Sequence, residues 1–151
     1  MFFLKKIADC LLGEDSQRLW LTEFYGDSEL ALSMIALKKA AIYDTVAYLD
    51  PFDNLRLQNK KPDLILKPNS TEQAILMSLE MLKTKIIKLL IVDSLFLLPP
   101  DNLRAEESLV LLVKAAEENS KPVFLLNPDN QTRKLLQKNL KSFCNSQIWV
   151  N

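Results

Sequence analysis

Short apolar runs alternate along this chain with longer stretches in which apolar residues recur at helical spacing. Runs rich in β-branched and other large apolar side chains predict six strands, at 18–25, 45–50, 63–67, 88–93, 122–127 and 147–150. Between most of these runs, apolar positions three or four residues apart predict helices over 28–42, 70–87, 102–118 and 130–141. This alternation predicts an α/β fold in which helices cover both faces of a mostly parallel sheet.

Each predicted helix carries an apolar stripe that should face the sheet. In the first two helices the stripes are Leu30, Met34, Leu37 and Ala41, and then Ile75, Leu79, Leu82 and Ile86. In the last two they are Leu109, Leu112, Val113 and Ala116, and then Leu135, Leu136 and Leu140. Either Ser70 with Gln73 or Asn69 with Glu72 fits a capping box, and Asp101 is the expected N-cap of the third helix.

Two further apolar features are candidates for an interface. The segment 2–12 places Phe3, Ile7 and Leu11 on one helical stripe, which should dock either on this domain or on a partner. The predicted loop after 88–93 contains Phe96, Leu97 and Leu98, and it should either fold back on the domain or contact another protein.

Composition narrows the function classes. The 151 residues fit one domain, 1–151, and 19 basic against 19 acidic residues give no excess of positive charge for nucleic acid. The absence of histidine excludes a Ser-His-Asp triad and an imidazole zinc site. Two cysteines without a C-x-x-C pair, and an N-terminus broken by charges, predict a cytoplasmic protein that has no contact with a membrane.

The candidate chemistry lies where two predicted strands end. Asp93 closes the run LLIVD, at the edge where a doubly wound sheet binds ligands. A phosphate loop, G-x-x-x-x-G-K-[ST], would be expected after the first strand, because its backbone N–H groups surround phosphates. The chain instead reads Gly26, Asp27, Ser28 and Glu29, and the next lysine is Lys38. Carboxylates at a helix N-terminus would repel a triphosphate.

The order of these pieces resembles the core of the bacterial RecA recombinases. LWLTEFYG, TVAYLD, KPNSTEQAI, LLIVDS and PVFLLNP follow one another as the corresponding RecA segments do. KPNSTEQAI is the most specific, being similar to the family's Gln-Pro-Asp-Thr-Gly-Glu-Gln-Ala. The resemblance covers about 19 to 128. It implies a RecA-like three-layer α/β/α domain, in which segment 2–12 could dock on a neighbouring subunit.

The departures from the RecA pattern fall on its nucleotide site. Phe52 stands where the resemblance places a water-activating glutamate, and Pro128 stands at the position of the switch glutamine. Only Asp93 remains as a vestige of the site. The connections that would form DNA-binding loops are short. We therefore expect no catalytic residue, no cofactor and no bound metal, and a non-catalytic domain that modulates recombination or repair.

Several alternatives stay open at this point. The partner could be a RecA-type recombinase, another repair protein or a second copy of the chain. The SulA family of cell-division inhibitors, which acts on FtsZ, also has a RecA-like fold without a phosphate loop. A hydrolase with an unconventional carboxylate site on Asp27, Asp50 and Asp93 is the enzymatic alternative. DNA could bind basic stripes such as that of Arg133, Lys134, Lys138 and Lys141.

Overall fold

A computed structural model describes residues 20–100 and 102–151. Segment 2–12, with Phe3, Ile7 and Leu11, and the expected N-cap Asp101 lie outside the described residues. None of the helices in the described part of the chain is long and apolar enough to cross a membrane.

Six parallel strands form the sheet. They are β1 Leu21–Gly26, β2 Val46–Leu49, β3 Leu64–Leu66, β4 Leu89–Asp93, β5 Val123–Pro128 and β6 Ser146–Val150. Their order is β3-β2-β4-β5-β1-β6, and every neighbouring pair runs parallel. The α/β class with a parallel sheet is therefore confirmed. Strands β2, β4 and β5 are buried along their whole length, as strands covered on both faces must be.

The helices are distributed unequally over the two faces. They are α1 Glu29–Ala40, α2 Thr71–Lys83, α3 Ala105–Asn119, α4 Gln131–Leu135 and α5 Gln137–Phe143, with 3-10 helices at Asn54–Leu57 and Leu95–Leu97. Helices α2, α3 and α5 pack on what we call the three-helix face. The opposite, one-helix face is covered by α1 and the first 3-10 helix, over a core that includes Tyr48, Ile91 and Phe124.

Local sequence signals explain where most helices begin. The Ser70 hydroxyl accepts a hydrogen bond from the Gln73 backbone N–H at 3.2 Å, so Ser70, from one of the two predicted pairs, caps α2. The Gln73 side chain accepts from the Asn69 backbone N–H instead of the Ser70 N–H. Ser28 caps α1 in the same way, accepting from Ala31 at 3.1 Å. Helix α3 begins three residues later than predicted, after Arg104, which makes no side-chain cap.

The predicted stripe of α1 is wrong in three of its four members. Leu30 and Met34 are 47% and 53% exposed, and Ala41 is exposed and lies beyond the helix. The buried side is formed by Leu32, Ser33, Ala36, Leu37 and Ala40. Small side chains at three of these positions let the helix backbone approach the sheet closely, and the larger Leu30 and Met34 are left outside.

The other stripes need smaller corrections. Leu109, Leu112 and Ala116 are buried as predicted. Ile86 is 68% exposed because α2 ends at Lys83, before the stripe reaches it. The predicted helix 130–141 is divided at Leu136, which is buried together with Leu140 while Leu135 is 74% exposed.

Candidate functional site

The carboxyl ends of four neighbouring strands bring polar residues to one edge of the sheet. Gly26 ends β1, Asp93 ends β4, and Asp50 and Asn127 lie at the ends of β2 and β5. In open parallel sheets, ligands bind at this edge. Its geometry therefore determines what the domain can hold.

The turn after β1 is short and tightly packed. Only Asp27 and Ser28 separate β1 from α1. A Cβ atom at Gly26 would overlap the carbonyl oxygen of Val150, so the end of β6 lies directly against this residue. The Gly26 carbonyl accepts a hydrogen bond from the Asp129 N–H at 2.8 Å. The position therefore requires glycine because β6 approaches it closely.

Asp93 is buried and fully engaged by neighbouring side chains. Its Oδ2 accepts hydrogen bonds from the Tyr48 hydroxyl at 2.6 Å and the Asn54 amide at 3.2 Å. Its Oδ1 accepts from the Ser94 hydroxyl at 2.7 Å. Burial raises the pKa of Asp93 to about 6, although these hydrogen bonds oppose the rise. Burial and the nearby Asp93 charge raise the pKa of Tyr48.

The backbone after Asp93 takes a left-handed conformation. Ser94 has φ of 58°, which is unfavourable for a residue with a side chain by about 1–2 kcal/mol. Its N–H donates to the Leu126 carbonyl at 2.9 Å, and its hydroxyl is bonded to Asp93. These two hydrogen bonds hold the strained turn in place and keep the Ser94 side chain directed at the carboxylate.

Asp50 organises the loop that follows β2. Its two carboxylate oxygens accept from the backbone N–H groups of Asn54 at 2.8 Å and Leu55 at 3.1 Å. Asp50 and Asp93 thus both hold the first 3-10 helix, one through its backbone and the other through the Asn54 side chain. Asp27 is exposed in the turn after β1. Within 20–100 and 102–151, no three potential metal-ligating side chains form a cluster.

The apolar loop after β4 is mostly folded into the core. Phe96 and Leu98 are 8% and 6% exposed, and they belong to the cluster under the three-helix face. Leu97 is 38% exposed. Of these three interface candidates, the structure therefore leaves Leu97 accessible to a partner, because the 3-10 helix Leu95–Leu97 turns its neighbours inward.

The sequence analysis does not predict a buried ion pair that joins the middle of β1 to α4. Both oxygens of Glu23 accept from Arg133, through Nε and Nη2 at 2.9 Å each. The side chains are 0% and 7% exposed. Asn127 and Gln147 donate the remaining hydrogen bonds to Glu23, at 2.6 and 2.8 Å. The Arg133 guanidinium also lies over the Tyr25 ring, 4.0 Å from its centroid.

Arg133 therefore does not belong to a solvent-facing basic stripe with Lys134, Lys138 and Lys141, as the helical spacing predicts. It is buried, whereas the three lysines are exposed. The pair joins β1 to α4 across 110 positions in the sequence. The one available signal was Glu23, a lone acidic residue inside the apolar run LWLTEFYG, which needs a partner if the strand is buried.

Comparison with known proteins shows the fold. No protein-family model and no curated protein sequence matches the chain. Among solved structures, it is similar to the RadB recombinase, with a TM-score of 0.51 and 19% identity over 73% of this chain and 61% of that one. The fold is RecA-like.

A second solved structure supports the same architecture. The chain is similar to the cytoplasmic domain of the Thermomonospora curvata type VII secretion ATPase EccC, with a TM-score of 0.56 and 11% identity over 88% of this chain and 19% of that one. The chain spans less than two thirds of the length of either structure. At these identities the likeness concerns the fold alone.

Proposed function

We propose that this chain is a RecA-like domain that acts by binding another protein and does not hydrolyse nucleotide. In this proposal the domain acts as an accessory protein or modulator in DNA recombination or repair. The observation that carries the proposal is the closed turn at Gly26, where the fold would otherwise hold phosphate.

The Gly26 turn supports the proposal through its length, packing and charge. Two residues, Asp27 and Ser28, are too few to surround a phosphate with backbone N–H groups as a phosphate loop does. The Val150 carbonyl oxygen lies where a Cβ atom of Gly26 would stand, so β6 packs directly against the end of β1. Asp27 and Glu29 place two carboxylates at the N-terminus of α1, where their charges oppose a bound anion.

The contacts of Asp93 give a second line of support. An aspartate that holds magnesium directs an oxygen toward solvent or phosphate. Both oxygens of Asp93 are instead occupied by Tyr48, Asn54 and Ser94, and the residue is 1% exposed. The same contacts weaken the hydrolase alternative, since Asp50 is occupied as well and Asp27 faces solvent.

The assignment to recombination or repair rests on two likenesses. The ordered segments from LWLTEFYG to PVFLLNP resemble the RecA recombinases, and one of the similar solved structures is a recombinase, RadB. A domain with this surface but no nucleotide cycle would act through its contacts with a RecA-type recombinase or another repair protein.

Calorimetric titration with ATP and magnesium tests the proposal. We expect no saturable heat at millimolar nucleotide, while an active RecA-type recombinase in the same buffer gives a clear isotherm. Tight, magnesium-dependent binding would contradict the proposal. Turnover that is lost in Asp93→Asn but retained in Asp53→Asn, an exposed aspartate in the nearby loop, would establish the hydrolase alternative.

A further inference from the structure

A groove on the three-helix face lies open to solvent between α3 and α5 and has a volume of about 480 Å³. Its apolar surface includes Val110, which is 45% exposed. Two carboxylates from the first turn of α3 border this surface. The lining residues are Glu106, Glu107, Val110, Leu111, Asn139 and Phe143. An occupant that matches this groove presents an apolar face with a cation beside it.

The chain enters β1 beside one end of this groove. The Leu21 N–H donates to the Asn145 side chain at 3.1 Å, and the Leu21 carbonyl accepts from the Asn145 N–H at 2.8 Å. Asn145 is two residues from Phe143, which lines the groove. Trp20 packs against the core cluster of the same three-helix face. The part of the chain that precedes Trp20 is therefore attached next to the Phe143 end of the groove.

The two ends of the groove differ in charge. Helices α3 and α5 each lead from the carboxyl end of one strand to the amino end of the next, so they run in the same direction. Phe143 ends α5, whereas Glu106 lies in the first turn of α3. The end beside the start of β1 is therefore apolar, and the far end is acidic.

The segment 2–12, outside the described residues, has the sequence that this groove requires. Phe3, Ile7 and Leu11 share one stripe at helical spacing. At 100° per residue, Lys6 falls about 100° from the centre of that stripe and Lys5 about 160° from it. Lys6 thus borders the apolar stripe, and Lys5 lies on the opposite side.

Charge distinguishes this groove from the one beside α1. That second groove, of about 470 Å³, is lined by Lys38 and Lys60, which would repel the lysines of the segment. Between α3 and α5 the border is acidic. Glu107 forms a 3.0 Å ion pair with Arg104 in solvent, whereas Glu106 has no ion-pair partner among the described residues. Glu106 is therefore available to a cation from the segment.

We propose that segment 2–12 docks as a helix in the α3–α5 groove of its own chain. Leu11 then lies nearest Phe143, and Lys6 lies beside Glu106. The connecting residues 13–19 can span roughly 25 Å when extended, which exceeds the length of about 22 Å for the whole of α3. Because the segment is tethered, its effective concentration at this groove is on the order of millimolar, which favours its own chain over another.

Docking covers the apolar surface between α3 and α5. A protein partner would then reach this part of the three-helix face only by displacing the segment, so the segment controls access to it. The contact involves neither Gly26 nor Asp93, so it is independent of the proposed function, and each can fail without the other.

Amide hydrogen exchange of the full chain, measured by mass spectrometry on the peptides that cover 2–12, tests the docking. We expect these amides to exchange more slowly than in a free peptide of the same sequence. Lys6→Glu and Glu106→Lys each place like charges together and should reduce the protection by roughly fivefold. Lys5→Glu makes the same charge change on the opposite side of the segment and should leave the protection unaltered.

Combining Lys6→Glu with Glu106→Lys in one chain gives the decisive outcome. The exchanged charges again face each other, so the protection should return. Circular dichroism of each variant checks that the fold is intact. Exchange at the rate of the free peptide, a double variant that stays as unprotected as the single variants, or a Lys5→Glu variant equally impaired would each overturn the proposal. Protection that disappears on hundredfold dilution would also overturn it, since the groove of another copy would then hold the segment.

Discussion

Asp93 lies at the strand end where the sequence predicts it, and the structure adds the side chains that contact it. The apolar run before it places it at the end of a buried strand. Its partners come from β2 and the following loop, at Tyr48 and Asn54, and from Ser94 next to it. The first two contacts join residues 45 and 39 positions apart in the sequence, which apolar periodicity does not report.

Because Asp93 is buried, we expect the stability of the fold to depend on pH. Its folded-state pKa of about 6 lies above its ordinary value of 3.8, so the folded protein binds this proton more tightly than the unfolded chain does. The stabilisation of the folded state by this proton is fully present at pH values below 3.8 and is lost as the pH rises through about 6. The shift corresponds to about 2–3 kcal/mol of unfolding free energy.

Chemical denaturation at a series of pH values measures this effect. Asp93→Asn carries no titrating proton, so the stability of the variant minus that of the unaltered chain should increase by about 2–3 kcal/mol from pH 4 to pH 8. Asp53→Asn is the matched control. Lys67 lowers the pKa of that exposed carboxyl, so the stability difference for Asp53→Asn should change with pH in the opposite direction. A stability difference for Asp93→Asn that does not vary with pH would contradict the assigned burial.

At the scale of elements, strands are predicted better than helix faces. All six apolar runs contain strands, with ends within three residues of the prediction. The signal is clearest for β2, β4 and β5, because strands buried on both sides leave a continuous apolar signature. Helix α1 shows the opposite case. Hydrophobicity favours Leu30 and Met34 as its buried residues, but close packing on the sheet selects Ser33, Ala36 and Ala40. The shape of the sheet surface decides this, and it is a tertiary property.

The Glu23–Arg133 pair gives a prediction about how β1 and α4 are joined. Arg133→Met leaves a buried carboxylate without its counter-ion and should destabilise the fold by about 3–5 kcal/mol. Glu23→Gln leaves the guanidinium in the same position. The double variant should cost less than the sum of the single variants by about 2 kcal/mol or more, because the second change removes a charge already unpaired.

Unfolding free energies of the unaltered chain, the two single variants and the double variant give the coupling energy between Glu23 and Arg133 directly. Arg104 and Glu107 form the matched control. Their ion pair is 3.0 Å long, close to the 2.9 Å of the buried pair, but their side chains are 87% and 49% exposed. Coupling there should be much weaker than between Glu23 and Arg133, because solvent screens exposed ion pairs. Additive effects at Glu23 and Arg133 would show that the buried pair does not hold these two elements together.

At the scale of the whole molecule, the sequence predicts the parallel sheet, but it does not predict how the helices are distributed over its two faces. Alternating strands and helices predict right-handed crossovers. The order β3-β2-β4-β5-β1-β6 sends α2, α3 and α5 to one face and leaves α1 to cover the other. This unequal coverage of the two faces follows from strand order, which no local pattern in the chain encodes.

The closed edge of the sheet is the central feature of the molecule. The Val150 carbonyl lies against Gly26, and three side chains hold both oxygens of Asp93. We propose that these contacts occupy the two positions where a RecA-like domain would contact nucleotide. Sequence alone indicates the missing phosphate loop. The approach of β6, 124 positions after Gly26, and the enclosure of Asp93 emerge only in the fold.

Nuclear magnetic resonance tests this closure residue by residue. In a backbone amide spectrum of the labelled chain, titration with a non-hydrolysable ATP analogue and magnesium should leave the amides of Gly26, Asp27, Ser28, Asp93 and Ser94 at their original positions. Saturable shifts concentrated on these amides, absent without magnesium, would contradict the account and place a nucleotide at the carboxyl edge of the sheet.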